Sequence, residues 1–452
     1  VRLALAACAV GACFLFMLYR ADVRLRLLEA QLDRDDPGWR LDDIEAARAQ
    51  IPAAENSAVA VIAACGLFPT NTLPVDVTNP FAELPANAPL DTADYARLSN
   101  ELSEWDAALE EARKLADMPR GRHRIVWTRP NLTNTRLPTQ QKAREVAYLL
   151  RFAALRRAED GDVHGALADC RAAINAGRSI GDEPLAVSML IRAACVAMAC
   201  TTAERALARG EPAPAELAAL QKLLEDEDAY PDLWYCMHGE RAWMHEVVTG
   251  IEIGAIPVSQ FVGRTPHPVE KLLGPVLRPS FRSEHTSILS WMTRYVDSTR
   301  LPPRDQIAAV EAIRTEIGSA PRTAILTHLL MPSLVKVSES SHRKHAQMRA
   351  LIAALAAERY RQAHGVWPQS LADLVPAELA AVPPDPFDGQ PLRLLHVPDG
   401  VEIYSVGPDG IDDNGRLAVG GQVNQPGFDI GFRLWDPQER VRPADEDRGD
   451  RK

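Results

Sequence analysis

The sequence predicts a mainly α protein with an N-terminal transmembrane helix, an α-helical hairpin bundle, and a C-terminal α+β domain in which a long helix packs on a small antiparallel sheet. Three observations predict it. Residues 3–19 (LALAACAVGACFLFMLY) are apolar and uncharged, bounded by Arg2 and Arg20. Residues 93–254 carry Ala-rich helical periodicity interrupted by turn residues, the pattern of stacked hairpins. From Met348 onward a long apolar stripe ends at Gly365, and short apolar runs bounded by Gly, Pro and Asp follow it.

The 452 residues exceed one ordinary core. We divide them into an anchor (1–20), a helical domain with Pro-rich loops (21–320), an α+β domain (321–437) and a mixed-charge tail (438–452) expected to be disordered. The net charge of −11, with no clustered basic surface, argues against a nucleic-acid partner. The short basic run 341–345 reads as one solvated helical turn. Seven cysteines without CxxC pairs read as small hydrophobes.

At 1.5 Å per residue the apolar run 3–19 is about 26 Å long, close to the hydrocarbon thickness of a bilayer. A membrane anchor is preferred over a cleaved signal peptide, because the run is long and no small-x-small site follows it. It is also preferred over a lipoprotein signal at Leu5-Ala6-Ala7-Cys8, because the apolar run continues past Cys8. Arg20, Arg24 and Arg26 follow the run and Arg2 precedes it, which by itself would put the bulk in the cytoplasm. Positive charge ahead of Val1 would reverse that count.

Residues 21–32 continue as a charged amphipathic helix broken by Asp35-Asp36-Pro37. Short helices are expected at 41–50 and 58–67, the second capped by Asn56-Ser57. Residues 68–94 read as a long loop. Leu98, Leu102, Trp105, Leu109 and Leu115 form one stripe, and residues 124–127 suggest a brief strand. Helices follow at 140–160, 163–176, 184–209, 214–226 and 230–254. The Asp160-Gly161-Asp162 turn suggests one tetratricopeptide-like hairpin without a second copy, so a generic hairpin bundle describes the region better. Residues 263–304 are Pro-rich, with a helix at 290–299. A helix at 305–317 precedes the main division, near Gly318–Pro321.

In the last domain, Met348, Leu351, Ile352, Leu355, Tyr360 and Ala363 form a stripe able to lie along a sheet. Gly365 supplies a left-handed cap, Ser370 caps residues 371–375, and strands are expected at 391–397, 401–406 and 428–434.

The densest ionisable stretch is residues 235–246. His238 and His245 share a helix face two turns apart, flanked by Glu240 and Glu246, but they lack the i, i+4 spacing of a two-histidine zinc helix. His342 and His345 have no carboxylate or thiolate beside them in sequence. No nucleophile elbow, phosphate-binding loop, dinucleotide fingerprint or kinase signature is present. The preferred function is that of a non-enzymatic protein acting through contacts with other proteins. The alternative is a membrane-tethered hydrolase or ligand-binding protein using His238, Glu240 and His245.

The order Ala-x-x-x-Tyr360, His364-Gly365-x-Trp367-Pro368, Leu371-x-x-Leu374, Pro383-x-Asp385-Pro386-Phe387-x-Gly389, Tyr404-Ser405-x-Gly407-Pro408-Asp409-Gly410 and Asp429-Ile430 resembles the globular part of the major pseudopilins of type II secretion. The resemblance covers roughly a quarter of the chain. It implies a helix on a small antiparallel sheet and an extracytoplasmic location, at the cytoplasmic (inner) membrane of the cell envelope with other envelope proteins as partners. It also implies calcium in the loop after the Gly-x-Asp-Gly turn, with Asp409, Asp412, Asp413 and Asp429 as candidate ligands. No other cofactor is expected. The chain departs from the family in having no Gly-Phe-Thr-Leu-x-Glu processing site before the long helix. Its apolar run lies some 300 residues upstream, so assembly into a filament is not expected. The remainder resembles uncharacterised membrane-anchored bacterial proteins and implies no activity.

Overall fold

The computed structural model describes residues 2–69, 84–262, 281–417 and 427–440, with residues 2–7, 10 and 262 described by their backbone alone. It is mainly helical, with one three-stranded antiparallel sheet near the C-terminus. The expected loop 68–94, the Pro-rich stretch 263–280 and the tail from 441 lie largely or wholly outside the described residues.

The first helix, α1 (Arg2–Asp35), is continuous. Its N-terminal half exposes Leu15, Phe16 and Met17, whereas Leu25 and Leu32 of its C-terminal half are buried. These two leucines pack with Trp39 and with Leu289 of α11 (Phe281–Ser298). The spacing 25, 28, 32 puts one stripe on one face, so the helix turns amphipathic where it meets the protein.

Two short helices follow, α2 (Leu41–Ala47) and α3 (Ser57–Gly66). The Asn56 side chain caps α3 by accepting from Ala58 N, as the sequence implies. The leucine stripe is divided over α4 (Thr92–Ser103), α5 (Asp106–Arg113) and the 3₁₀ turn Lys114–Asp117 that follows, yet Leu98, Leu102, Trp105, Leu109 and Leu115 are all buried. Residues 124–127 form no strand. The flanking backbone groups meet side chains instead: Arg48 donates to His123 O, and Thr128 N donates to Thr135 Oγ1.

The body is built on three antiparallel helices, α6 (Gln140–Glu159), α7 (Val163–Arg178) and α8 (Ala186–Leu207). Alanines at 143, 147, 154, 166, 173, 199 and 203 are buried in one cluster, and small side chains let the helix axes approach closely. One close approach is at Gly177, where an added Cβ would come 2.8 Å from Cys195 Cβ. By length and composition α8 could span a membrane, but 61% of its most apolar window is buried inside the protein, so it is a core helix. Cys170, Cys195, Cys200 and Cys236 are buried free thiols, as small hydrophobes would be. Next come α9 (Pro214–Asp228), α10 (Asp232–Ile253), α12 (Pro303–Gly318) and the short α13 (Ile325–Leu330). The helix expected at 290–299 is the second half of α11, which starts at Phe281.

The long helix α14 (Pro332–His364) has 33 residues and is therefore about 50 Å long. Gly365 ends it with φ +76°, a conformation that costs a side-chain-bearing residue energy. Residues 350–357 are buried on every side, which is a wider contact than the single stripe predicted. One side meets the sheet and the other meets α8 and α9. Leu351 and Leu355 share a cluster with Val401, Ile403, Phe432 and Leu434, and with Ala203, Leu217 and Leu224. The hydrophobic core is thus continuous across residues 318–321, where the sequence suggests the main division.

The strands β1 (Arg393–Val397), β2 (Gly400–Ser405) and β3 (Ile430–Trp435) lie in that order, with β2 buried along its whole length. Asp385 ties the preceding loop to the sheet. Its carboxylate is fully buried and accepts from Phe387 N, Val406 N, Ser405 Oγ and Arg393 Nη1, all within 2.9 Å. This explains why the Asp-Pro-Phe and Tyr-Ser segments occur together. The Asp385 carboxyl is pushed up by burial, with these hydrogen bonds opposing the shift. Arg440, placed in the tail by the sequence, is buried and donates to Glu358, Trp435 O and Gly210 O.

The basic run 341–345 is not a solvated turn. His342 and Lys344 are each 3% exposed. Lys344 Nζ is bonded to Asp232 and lies 3.8 Å from Glu227, which is itself held by both ends of Arg192 at 2.6 and 2.7 Å. Acidic groups at the junction of α9 and α10 draw this turn of α14 inward. Four buried charges sum to zero, and each has a partner.

Breaking such a network strands a charge in a dry site, which costs about 3–5 kcal/mol, whereas exposed pairs contribute little. Lys344→Met should therefore lower folding stability by about 3–5 kcal/mol in denaturant titration. Arg314→Gln, which removes the exposed pair with Glu311, should leave the midpoint where it is. Equal midpoints for the wild type and Lys344→Met would contradict the assignment.

Candidate functional site

The foot of α1 carries the densest array of ionisable groups from the sequence stretch 235–246. Asp22 and Glu29 on α1 and Asp36 just past its end recur every seven residues, and His238, His245 and Glu252 recur every seven on α10. Seven residues are nearly two helical turns, so each set lies along one face. The helices meet in opposite order. His238 Nε2 lies 3.2 Å from Asp36, His245 Nε2 lies 3.9 Å from Glu29, and Glu252 reaches Asp22 through Arg282. The seam is about 21 Å long on α1.

At the lower end, Asp36 receives Arg241 and His238. Burial pushes its carboxyl up, but the hydrogen bond and charge of Arg241 and the contribution of His238 outweigh that and hold it below the usual range. Asp33 is held low chiefly by the 2.8 Å hydrogen bond from Trp39 Nε1, with Arg40 adding to it. The ring of Trp39 is fully buried and is met edge-on by His245, with centroids 5.0 Å apart.

In the middle, His245 Nδ1 faces His285 Nε2 at 3.0 Å, and His285 Nδ1 lies 3.1 Å from Glu252 Oε1. Only one proton fits between the two facing nitrogens. With His285 Nδ1 donating to Glu252, His285 Nε2 is left to accept from His245 Nδ1, and the remaining His245 lone pair points toward Glu29. Burial, together with His285 and the cationic side chains nearby, pushes His245 down to about 3. It is thus held neutral, and His238 is also lowered, chiefly by burial. At the upper end, Arg282 binds Glu252 and lies 3.4 Å from Asp22. Leu18, Tyr19, Asp22, Thr249, Glu252, Ile253 and Arg282 line an open cleft of about 440 Å³.

His238 and His245 do share a face, but Glu240 does not join them. It points to the opposite side, accepts from Ala186 N at 2.7 Å, and is pushed up to about 7 by burial. Glu246 binds Arg129. The set His238, Glu240 and His245 therefore does not converge. The residues that do complete the seam, Asp22, Glu29, Asp36, Glu252 and His285, were not singled out from the sequence. For all but His285 the signal was the matching seven-residue repeat. His342 and His345 point to separate partners: His342 bonds Ser338 O and Pro303 O, and His345 bonds Asp228.

The four candidate calcium ligands all lie in the turn region after β2. Asp409 accepts from Ile411 N and Gly427 N, and Asp412 accepts from Asn414 N and Tyr404 Oη. Asp429 is buried and accepts from Asp413 N and Gly415 N. Burial pushes its carboxyl up to about 6, with the charges of Asp412 and Asp413 adding to the shift. The carboxylates of Asp409, Asp412 and Asp429 thus hold turns, whereas Asp413 Oδ2 is buried without a hydrogen-bond partner. Among the described residues no three His, Cys, Asp or Glu side chains form a metal-binding group.

The buried histidine predicts a pH effect. Because His245 is lowered when folded, folding must exclude a proton that the unfolded chain binds below about pH 6.5. Its contribution is present above that value and is lost as pH falls toward about 3. His245→Gln should lower stability at pH 7.5. The gap to the wild type should narrow by about 1.4 kcal/mol per pH unit below pH 6.5. Denaturant titrations of the purified chain across this range measure it, and a gap independent of pH would contradict the neutral state of His245.

Compared with protein families, with characterised proteins and with solved structures, the chain matches none of them.

Proposed function

We propose that the protein is a single-pass membrane protein of the cell envelope whose helical body, clamped to the foot of its own anchor, acts through contacts with other proteins rather than by catalysis. The observation that carries the reading is the change in character along α1. Phe14, Leu15, Phe16, Met17 and Tyr19 are 36–66% exposed on a helix whose continuation buries Leu25 and Leu32 against the body. A row of large apolar side chains in water is costly, and a bilayer relieves that cost. The apolar run 3–19, about 26 Å long as a helix, fits the thickness of the hydrocarbon core.

The ionisable groups favour a structural role for the seam. Asp36, Glu252 and His285 are each engaged by neighbouring side chains, and Asp33 and Asp36 are held charged rather than poised near neutrality. The extracytoplasmic placement rests on the pseudopilin-like order of residues 360–430, which the helix-on-sheet geometry of α14 and β1–β3 supports. A filament-forming role is not part of the proposal. A ligand-binding role would draw on the cleft at the top of the seam.

Fractionation tests the anchor. The full chain should stay with membranes after alkaline carbonate washing, and a chain lacking residues 2–20 should be released. A C-terminal alkaline phosphatase fusion should be active and a C-terminal green fluorescent protein fusion dark. Carbonate release of the full chain would overturn the anchor, and the reverse pair of reporter signals would overturn the placement.

A further inference from the structure

We propose that the body touches the bilayer at a second point, the C-terminal end of α10, with the cleft between α1, α10 and α11 open to the lipid headgroups. This rests on the anchor reading above and goes beyond it. An anchor alone would leave the body free to tilt, whereas a second contact fixes its attitude to the membrane.

The argument is one of depth. If residues 3–19 cross the hydrocarbon core, Tyr19 stands at its boundary, where amphipathic aromatic side chains settle. Leu18 and Tyr19 line the same cleft as Ile253. Whatever shares a cleft with Tyr19 shares its depth to within a side chain's reach, so the last turn of α10 lies at the interface as well. The side chains there suit that position. Ile253 is 67% exposed, projecting an aliphatic group from the final turn before Gly254 caps the helix with φ +81°.

The other side of the cleft is polar, made by Asp22, Glu252 and Arg282. Asp22 lies one helical turn beyond Leu18 on α1, the level at which the hydrocarbon gives way to headgroups. Arg282 is about one-third exposed, is oriented by Glu252, and lies 3.4 Å from Asp22. A guanidinium flanked by carboxylates at this height faces the phosphates and polar groups of the headgroup layer, not the acyl chains. Apolar and polar walls of one cleft are thus sorted in the same direction as the bilayer itself. The occupant that matches both walls is the membrane surface.

The test attaches an environment-sensitive NBD fluorophore to the thiol introduced by Ile253→Cys, in the full chain with Cys8, Cys13 and Cys65 replaced by alanine. The labelled protein is reconstituted in phosphatidylcholine vesicles with or without lipids brominated at a shallow acyl position. Parallel samples carry Phe16→Cys, within the anchor, and Val366→Cys, an exposed apolar position after α14. The proposal expects blue-shifted emission and bromine quenching at positions 16 and 253 and neither at 366. Quenching at 16 without quenching at 253 overturns this inference and leaves the anchor intact. No quenching at 16 overturns both readings. Equal quenching at 253 and 366 overturns the inference in favour of general adsorption.

Discussion

The structure depends on a charge network in a dry place. Arg192, Glu227, Asp232 and Lys344 come from α8, α9, α10 and α14, and all four are nearly or wholly inaccessible to water. Apolar packing between Ala-rich helices is not directional, and it would tolerate α14 sliding along its neighbours. A bidentate Arg192–Glu227 pair with Lys344 alongside does not tolerate sliding, because any shift leaves a buried charge uncompensated. The register of the long helix against the bundle follows from it. The sheet, which packs on the far half of that helix, follows in turn.

Much of this architecture was legible in the sequence. Gly365 ended α14, Asn56 capped α3, and the Gly, Pro and Asp residues bounding the short apolar runs set out the strands, because caps and turns are local chemistry. What was not legible depended on distant partners. Lys344 looked solvated because its acidic partners, Glu227 and Asp232, lie far away in the chain. Ala353, Ala354 and Ala357 did not look like core because an alanine signals little by itself, yet they let α14 lie between two layers. Residues 124–127 had strand composition and no neighbouring strand to pair with. At the candidate site the sequence placed His238 and His245 on one face, but Glu240 nearby points elsewhere. The partners that mattered sat on α1 and α11.

The seam along α1 is the second organising feature, and it differs from the first. The central network is charge-balanced and sealed. The seam sets carboxylates at the foot of α1 beside His238 and His245, both lowered chiefly by burial, and its upper end opens into a cleft lined by Tyr19. It joins the segment we propose to be the membrane anchor to the folded body without a linker. Motion or force at the membrane would then pass directly into α10 and α11. A protein that acts through contacts in the envelope gains from such stiffness, because its partner-facing surfaces keep a fixed orientation.

The central claim is therefore that anchor and body are one rigid piece. Pulsed electron–electron resonance between spin labels at Leu15→Cys, on the exposed part of α1, and Ile325→Cys, exposed on α13, tests it most directly in reconstituted membranes. The account predicts a single narrow distance distribution that broadens when the seam is cut by Asp36→Ala with His285→Ala. A broad distribution in the otherwise unaltered chain would show a flexible tether and contradict it.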